Sequence, residues 1–236
     1  MLRSKVKSTK AGPPLLSILI LSLPERTEKY LLPLLRTLQE QIDPWHEYVE
    51  VIVLTDNRWR TIGCKRNDCL RLSQGRFITF VDDDDMIAED YIESILTALL
   101  ADEDNSAQCV VFDVWVRGYD ILGMQTARGS LCRYGIELPH ANLPDGSFLR
   151  KPNPRMVYRR DLVSKILFLD VNVGEDDVWG REVSALVTSP NYQIRIPKIL
   201  YFYNWNVVDS EAGGVAETRE DLVKQGKIAL PSDRIE

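Results

Sequence analysis

Residues 76–85 read RFITFVDDDD, an apolar run followed by four aspartates. The run Arg76–Val81 is typical of a strand that is buried on both faces of a parallel sheet. In open α/β sheets, ligands bind beyond the carboxyl ends of the strands, which is where Asp82–Asp85 follow. The position of the aspartates therefore favours a binding site.

Similar apolar runs alternate with helical patterns on either side of this stretch. Further strands are predicted at residues 15–21, 49–54, 109–116, 156–160 and 194–203. Helices are predicted at residues 27–42 (regular from near Pro33), 64–72, 88–100 (with an acidic first turn), 161–166 and 176–186. This alternation predicts an α/β fold with a mostly parallel sheet and right-handed crossovers. We expect one domain over residues 15–210, after a basic extension (1–14) and before a polar tail (211–236).

Composition narrows the function classes. The chain has 236 residues and a formal net charge of -6, which argues against broad attraction to nucleic acid or anionic lipid. Two histidines and four cysteines without a C-x-x-C pair disfavour a Cys/His zinc site. The basic start and the apolar run 15–23 imitate a secretory signal, but Pro24–Arg26 stands where small residues should mark cleavage. We expect a cytoplasmic protein with reduced thiols and no integral membrane segment.

Four adjacent carboxylates at Asp82–Asp85 repel one another. Two of them about 6 Å apart, at an effective dielectric near 20, repel by roughly 3 kcal/mol. A divalent cation such as Mn²⁺ or Mg²⁺ would relieve that repulsion, and such cations often share their ligand shell with substrate phosphates. The alternative is a solvated acidic turn that caps the next helix.

A second acidic cluster lies in VGEDDVWGREV, residues 173–183. Glu175, Asp176 and Asp177 stand at the start of a predicted amphipathic helix. Acids in a first turn also stabilise the helix dipole, so a purely structural role stays open.

Five segments together carry a resemblance to a known family. They are SILILSLPER (17–26), VEVIVLTDNR (49–58), GCKRND (63–68), ITFVDDDD (78–85) and AEDYIESI (88–95). Over most of residues 15–210, the chain resembles family 2 glycosyltransferases of the GT-A fold. The resemblance implies a GT-A type, Rossmann-like, mostly parallel sheet flanked by helices. It also implies a donor half (15–116) and an acceptor half (117–210), whose segment 117–154 is loop-rich.

The resemblance also implies roles for the residues of the donor site. Asp82 and Asp84 match the D-x-D pair, with Asp84 the better metal ligand and Asp82 facing the ribose or a metal-bound water. Nucleotide-sugar binding is implied for Ser22, Arg26, Asp56 and Arg66 together with Asp82. Arg66 as a surface cation, Asp56 as a turn residue and Asp85 as a helix cap are the structural alternatives. Asp83 has no assigned role.

The implied activity is metal-dependent transfer of a hexose or pentose from a nucleoside-diphosphate sugar to a hydroxyl, with inversion. Asp176 is the expected general base, Asp177 the second choice by register, and Glu175 belongs to the same cluster. Trp179, one turn later, either packs against the acceptor sugar or belongs to the core. A positioned carboxylate of this kind accelerates a reaction by about 10² to 10⁴. The expected cofactor is Mn²⁺ or Mg²⁺ and the expected donor a uridine-diphosphate sugar. The acceptor stays open between a glycan, a glycolipid, a protein and a modified nucleic-acid base.

One departure from the family pattern concerns the metal. Many relatives place a histidine after the last strand, where this chain has Asn206 and, three residues later, Asp209. Either of the two supplies an oxygen ligand, or the D-x-D pair and phosphates suffice.

Other classes fit the sequence less well. Sugar nucleotidyltransferases have a glycine-rich loop after the first strand, whereas residues 21–26 read LSLPER. Phosphatases of the haloacid dehalogenase type have their aspartates after the first strand, well before residue 82. A non-catalytic acidic α/β module that binds a cation or a carbohydrate remains an alternative.

Overall fold

The computed structural model describes residues 12–117, 129–187 and 189–204. Asn206, Asp209, most of the basic extension and the whole polar tail lie outside the described residues. The strands are β1 (Leu16–Ser22), β2 (Val49–Thr55), β3 (Phe77–Phe80), β4 (Met86–Ile87), β5 (Cys109–Arg117), β6 (Ser130–Tyr134), β7 (Ala141–Asn142), β8 (Phe148–Arg150), β9 (Val157–Arg159) and β10 (Gln193–Asn204). The helices are α1 (Leu32–Ile42), α2 (Ile62–Leu72), α3 (Tyr91–Leu100), α4 (Arg160–Val163) and α5 (Glu175–Leu186).

The strands of the described residues form one mixed sheet in the order β2-β1-β3-β9-β5-β6-β8-β7, with β10 pairing to β4 and β5. The longest ladders, β1 with β2 and β5 with β10, are parallel. Strand β1 is buried along its whole length, as its apolar sequence predicts. The predicted strands and helices are therefore present, in a mostly parallel α/β sheet.

The helices that flank the sheet follow their sequence signals. The regular helix α1 has Pro33 in its first turn, where the missing N–H of a proline is tolerated. The helix buries Leu34, Leu38 and Ile42. Helix α2 begins after Thr61, whose hydroxyl accepts a hydrogen bond from the Cys64 amide at 3.1 Å. No helix in the described part of the chain is both long and apolar enough to span a bilayer.

Three features differ from the prediction. Helix α3 begins at Tyr91 rather than at residue 88, because Met86–Ile87 first pairs with β10 as an edge strand. The segment predicted to be loop-rich contains β6, β7 and β8 within its described residues. Strand β9 runs antiparallel between β3 and β5.

Candidate active site

A cleft of about 290 Å³ opens at the carboxyl ends of β1, β3 and β10. It is lined by Leu21, Ser22, Arg26, Ile62, Arg66, Asp82, Asp83, Asp84, Arg155, Asn172, Val173, Gly174, Glu175, Asp176, Tyr203 and Asn204. Both acidic clusters of the sequence thus reach one cleft. Of the predicted site residues, Asp56 and Asp177 do not line it.

The four aspartates after β3 divide by exposure. The side chains of Asp82 and Asp84 keep 24% and 17% of their surface exposed. Those of Asp83 and Asp85 keep 5% and 0%. The first and third members of the run are therefore more accessible from the cleft than the second and fourth.

Asp83, which has no role in the sequence prediction, joins the run to the end of β1. Its carboxylate accepts hydrogen bonds from Ser22 Oγ at 2.6 Å and from Arg26 Nη2 at 2.6 Å. The same Arg26 nitrogen lies 2.8 Å from Asp84 Oδ2. Burial opposes the charge on Arg26, but its bonds to the two aspartates outweigh burial and raise its pKa. Ser22 and Arg26 thus hold the acidic turn from one side.

Asp85 joins the run to β10 on the other side. Its carboxylate accepts hydrogen bonds from Tyr201 Oη at 2.6 Å and from the Asn204 amide at 2.7 Å. Burial raises the pKa of Asp85 well above its usual range. The structural alternative in which Asp85 caps the following helix is wrong, because β4 separates it from α3 and its carboxylate accepts hydrogen bonds from β10.

Arg66 connects the two acidic clusters. It donates from Nη2 to Asp82 Oδ1 at 3.2 Å and from Nε to Glu175 Oε1 at 3.2 Å. The guanidinium also lies over the Phe80 ring, 4.9 Å from its centroid. With 8% of its side chain exposed, Arg66 is not a surface cation, so that alternative is wrong.

Arg155 is a cleft residue that the sequence did not indicate. Its Nη2 donates to Asp82 Oδ2 at 2.9 Å, and its guanidinium stacks 4.3 Å from the centroid of the Tyr203 ring. Asp82 is consequently held between two arginines. Although burial opposes ionisation, Arg155 and Arg66 together lower the pKa of Asp82.

Helix α2 positions the second acidic cluster through the segment that precedes α5. The Asn67 side chain donates to the Phe168 carbonyl at 2.9 Å and accepts from the Phe168 amide at 2.8 Å. One turn earlier, the Gly63 amide donates to the Val171 carbonyl at 3.1 Å. The adjacent Arg66 and Asn67 therefore have separate tasks: one reaches the cleft and the other holds the chain that leads to α5.

The first turn of α5 presents its three acids differently. Glu175 is 4% exposed, and burial followed by the charge of Asp176 raises its pKa to about 7. Asp176 is partly exposed on the cleft, where its Oδ1 accepts from the Asp177 amide at 2.9 Å. Asp177 is exposed and pairs with Arg181 one turn on at 3.3 Å. The geometry favours Asp176 over Asp177 as a group that meets a substrate.

Asp56 lies in a neighbouring cleft of about 530 Å³. Its carboxylate accepts from the Arg60 amide at 3.2 Å and pairs at 3.1 Å with Lys65, whose side chain is fully buried. This supports the turn-residue alternative, because the carboxylate organises the loop after β2. The exposed indole of Trp59 lies in the same cleft.

Trp179 belongs to the core. It is fully buried, stacks on Phe168 with ring centroids 4.7 Å apart, and donates to the Ile166 carbonyl at 3.1 Å. The alternative in which it packs against an acceptor sugar is wrong.

Asp82 and Asp84 fit a hard cation by their chemistry, since both place carboxylate oxygens on the cleft. No group of three or more His, Cys, Asp or Glu side chains suited to a metal occurs among the described residues. Asn206 and Asp209, the predicted third ligands, lie outside them. Among the described residues, Asp82 and Asp84 are those that would hold such a cation, together with oxygens of a substrate.

Comparison with known proteins gives a family match and matches to solved structures. The family model described as "Glycosyl transferase family 2" matches residues 58–167. The resemblance to family 2 glycosyltransferases is thus confirmed. The description of that model names the enzyme class that the sequence predicts, a glycosyltransferase. Comparison of the sequence with curated proteins gives no match.

Solved structures of S. aureus TarS share the fold. TarS 1-349 superposes with a TM-score of 0.50 and 17% identity, over 80% of this chain and 60% of that one. The longer TarS structure gives a TM-score of 0.53 and 16% identity, over 80% of this chain and 36% of that one. The complex of TarS 1-349 with UDP-GlcNAc superposes with a TM-score of 0.50 and 16% identity, over 81% of this chain and 58% of that one. The predicted fold class is confirmed, and the chain spans less than two thirds of the length of these three TarS structures.

Proposed function

We propose that this chain is a metal-dependent glycosyltransferase, in which Asp82 and Asp84 meet the donor diphosphate and Asp176 is the general base for a hydroxyl acceptor. One observation carries the proposal: the aspartates after β3 and the acids that begin α5 line a single cleft and are bridged by Arg66. A donor and an acceptor that meet there have separate acidic groups beside them.

The charge of the cleft supports a metal requirement. Among the described lining residues, five are acidic (Asp82, Asp83, Asp84, Glu175 and Asp176) and three are arginines (Arg26, Arg66 and Arg155), which leaves a formal excess of two negative charges. A diphosphate that enters such a cleft adds more negative charge. A bound Mn²⁺ or Mg²⁺ would neutralise the charge that develops on the departing diphosphate.

The chain's own cations are placed to share that task. Arg155 and Arg66 both hold Asp82 in the structure described here. A guanidinium carries five donors in a planar fork, and the side chains of Arg66 and Arg155 keep 8% and 14% of their surface exposed, so each would offer phosphate oxygens an N–H group beyond those that hold Asp82. We propose that they orient the diphosphate while Asp82 and Asp84 hold the cation.

Asp176 suits the role of base because it is partly exposed on the cleft and is not paired with an arginine in any contact of the described residues. A carboxylate there takes the proton of the acceptor hydroxyl as its oxygen attacks the anomeric carbon. Attack opposite the departing diphosphate inverts the configuration at that carbon. Glu175, tied to Arg66, holds the cluster in place.

The proposed donor is a uridine-diphosphate sugar, since one of the structures that share the fold contains UDP-GlcNAc. Ser22 and Arg26 lie beside the cleft for its nucleotide, and the neighbouring cleft at Asp56 extends the surface available to it. The acceptor hydroxyl belongs to a glycan, a glycolipid, a protein or a modified nucleic-acid base. A cytoplasmic location is part of the same proposal.

A screen of nucleotide sugars for hydrolysis tests the proposal without knowledge of the acceptor. We expect release of uridine diphosphate in Mn²⁺ or Mg²⁺ and none in excess chelator. Calorimetric titration with uridine, guanosine, adenosine and thymidine diphosphates, each with and without metal, identifies the nucleotide. Failure to bind any nucleoside diphosphate would favour the non-catalytic module that binds a cation or a carbohydrate.

A further inference from the structure

The hydroxyl of Tyr201 occupies the junction between β10 and the acidic turn. It donates to Asp85 Oδ2 at 2.6 Å and accepts from the Asp82 amide at 3.1 Å. One hydroxyl therefore contacts both the first and the last residue of the aspartate run. Tyr201 itself is fully buried.

Asn204, three residues further along β10, completes this contact. Its amide donates to Asp85 Oδ1 at 2.7 Å, and its side-chain nitrogen donates to the Asp84 carbonyl at 2.8 Å. Together with Tyr201, it holds the turn at three of its four residues: Asp82, Asp84 and Asp85. We refer to Tyr201, Asn204 and Asp85 as the β10 clasp.

The β10 clasp is anchored in paired strands of the sheet. Around Tyr201, strand β10 pairs with β5 on one side and with β4 on the other. The turn also closes on itself, since the Asp85 amide donates to the Asp82 carbonyl at 3.1 Å. A side chain anchored in paired strands keeps its position better than one carried by a loop.

We infer that Tyr201 is a positioning residue, whose hydroxyl sets the directions in which Asp82 and Asp84 present their carboxylates to the cation and diphosphate of the donor. The inference rests on the proposed function, because it concerns donor binding at the same cleft. Without the hydroxyl, the Asp82 amide and the Asp85 carboxylate each lose a buried partner. The turn then adopts other conformations, so the carboxylates of Asp82 and Asp84 are no longer preorganised to bind the cation.

The chain offers a matched control. Tyr158 in β9 is also fully buried, and its hydroxyl has no hydrogen-bond partner among the residues that the structure describes. Tyr201→Phe and Tyr158→Phe thus remove the same atom from two buried tyrosines of one sheet. Only the first change removes hydrogen bonds to the acidic turn.

Two measurements test the inference, both on the full chain. Amide exchange without any ligand should be at least about tenfold faster at Asp82 in Tyr201→Phe, because a broken hydrogen bond exposes that amide. Calorimetry with uridine diphosphate gives the ratio of dissociation constants in chelator and in Mn²⁺. Tyr201→Phe should reduce this ratio by about tenfold, the effect of losing one well-placed buried hydrogen bond. Tyr158→Phe should match the wild type in both.

The outcomes separate the two proposals. A wild-type ratio in Tyr201→Phe, with unchanged exchange at Asp82, overturns the positioning role alone. A wild-type protein that binds uridine diphosphate equally well with and without metal overturns the proposed metal dependence and the positioning role with it. If Tyr201→Phe does not fold, Asn204→Ala removes the bond to the Asp84 carbonyl and is expected to lower the same ratio. An unchanged ratio there overturns the inference.

Discussion

Asp82 and Glu175 share the guanidinium of Arg66, which lies 3.2 Å from a carboxylate oxygen of each. Asp82 follows β3 in the predicted donor half and Glu175 begins α5 in the predicted acceptor half. Because Arg66 is buried, this bridge links the two halves of the cleft through a strong, charge-assisted contact rather than a solvated ion pair. Both the stability and the binding properties of the cleft should depend on it.

Replacing Arg66 by methionine should destabilise the fold by about 3 to 5 kcal/mol, because it leaves Asp82 and Glu175 with less compensation for their burial. Chemical denaturation at neutral pH measures the loss. The matched control is Arg181→Met, which breaks the exposed pair with Asp177 and should change stability by less than about 1 kcal/mol. Equal losses in the two variants would contradict the importance of the bridge.

Glu175 should make stability depend on pH. Its pKa is about 7 in the folded protein, against an ordinary value of 4.5. Between these values the folded state binds more protons than the unfolded state, so stability falls as pH rises and the full penalty is present above pH 7. This difference between the two pKa values corresponds to a loss of about 3 kcal/mol in the free energy of unfolding.

Glu175→Gln tests this dependence, since the amide keeps an oxygen for Arg66 but does not ionise. We expect the unfolding free energy of the variant minus that of the wild type to increase steadily from pH 4.5 to about pH 7. From there to pH 8 this difference should stay constant. A stability difference that stays constant across the whole range would show that Glu175 titrates normally.

The residues that sequence could predict are those whose position follows from their own segment. The aspartates directly follow a buried strand, so their place at the edge of the sheet is settled by the alternation of strands and helices. Asp176 stands in the first turn of a helix that its own periodicity predicts. Arg66 is part of a helix whose start is marked by Thr61.

Other features depend on contacts between distant segments and leave no local signal. Arg155 comes from an irregular connection between β8 and β9, and only the tertiary fold brings it to Asp82. Strand β9 is three residues long, too short for its apolar pattern to specify direction, so its antiparallel insertion was not foreseen. The bond from Tyr201 to Asp85 likewise needs β10 to pair beside β4.

Asp176→Asn should abolish sugar transfer while donor binding stays within about twofold of the wild type, because the base acts on the acceptor and contributes about 10² to 10⁴ in rate. Asp177→Asn is the natural control: it alters the adjacent residue, which is exposed and does not line the cleft. Transfer rates and calorimetric affinities for both variants give the answer. Normal turnover in Asp176→Asn would remove it from the mechanism.

Asp84→Ala should weaken binding of uridine diphosphate in Mn²⁺ by about tenfold or more and hardly change it in chelator, if this carboxylate holds the cation. The structure adds a second expectation, since Arg26 loses one of its two aspartate partners but keeps Asp83. Stability should therefore fall only modestly. Affinity that is the same for both proteins in both conditions would exclude a metal bridge at Asp84.

Gly63→Ala should disturb the cleft from a distance. A Cβ at residue 63 would lie 1.7 Å from the Leu169 carbonyl oxygen, so either α2 or the segment before α5 must move. That segment positions Asp176. We therefore expect the rate of sugar transfer to fall more than the affinity for the donor, and the melting temperature to decrease. Gly12→Ala adds the same methyl group where, among the described residues and apart from its chain neighbours, no atom lies within 4 Å, and it should leave the melting temperature unchanged. If Gly63→Ala lowers the melting temperature but leaves the transfer rate intact, the packing of α2 on this segment supports the fold without positioning Asp176.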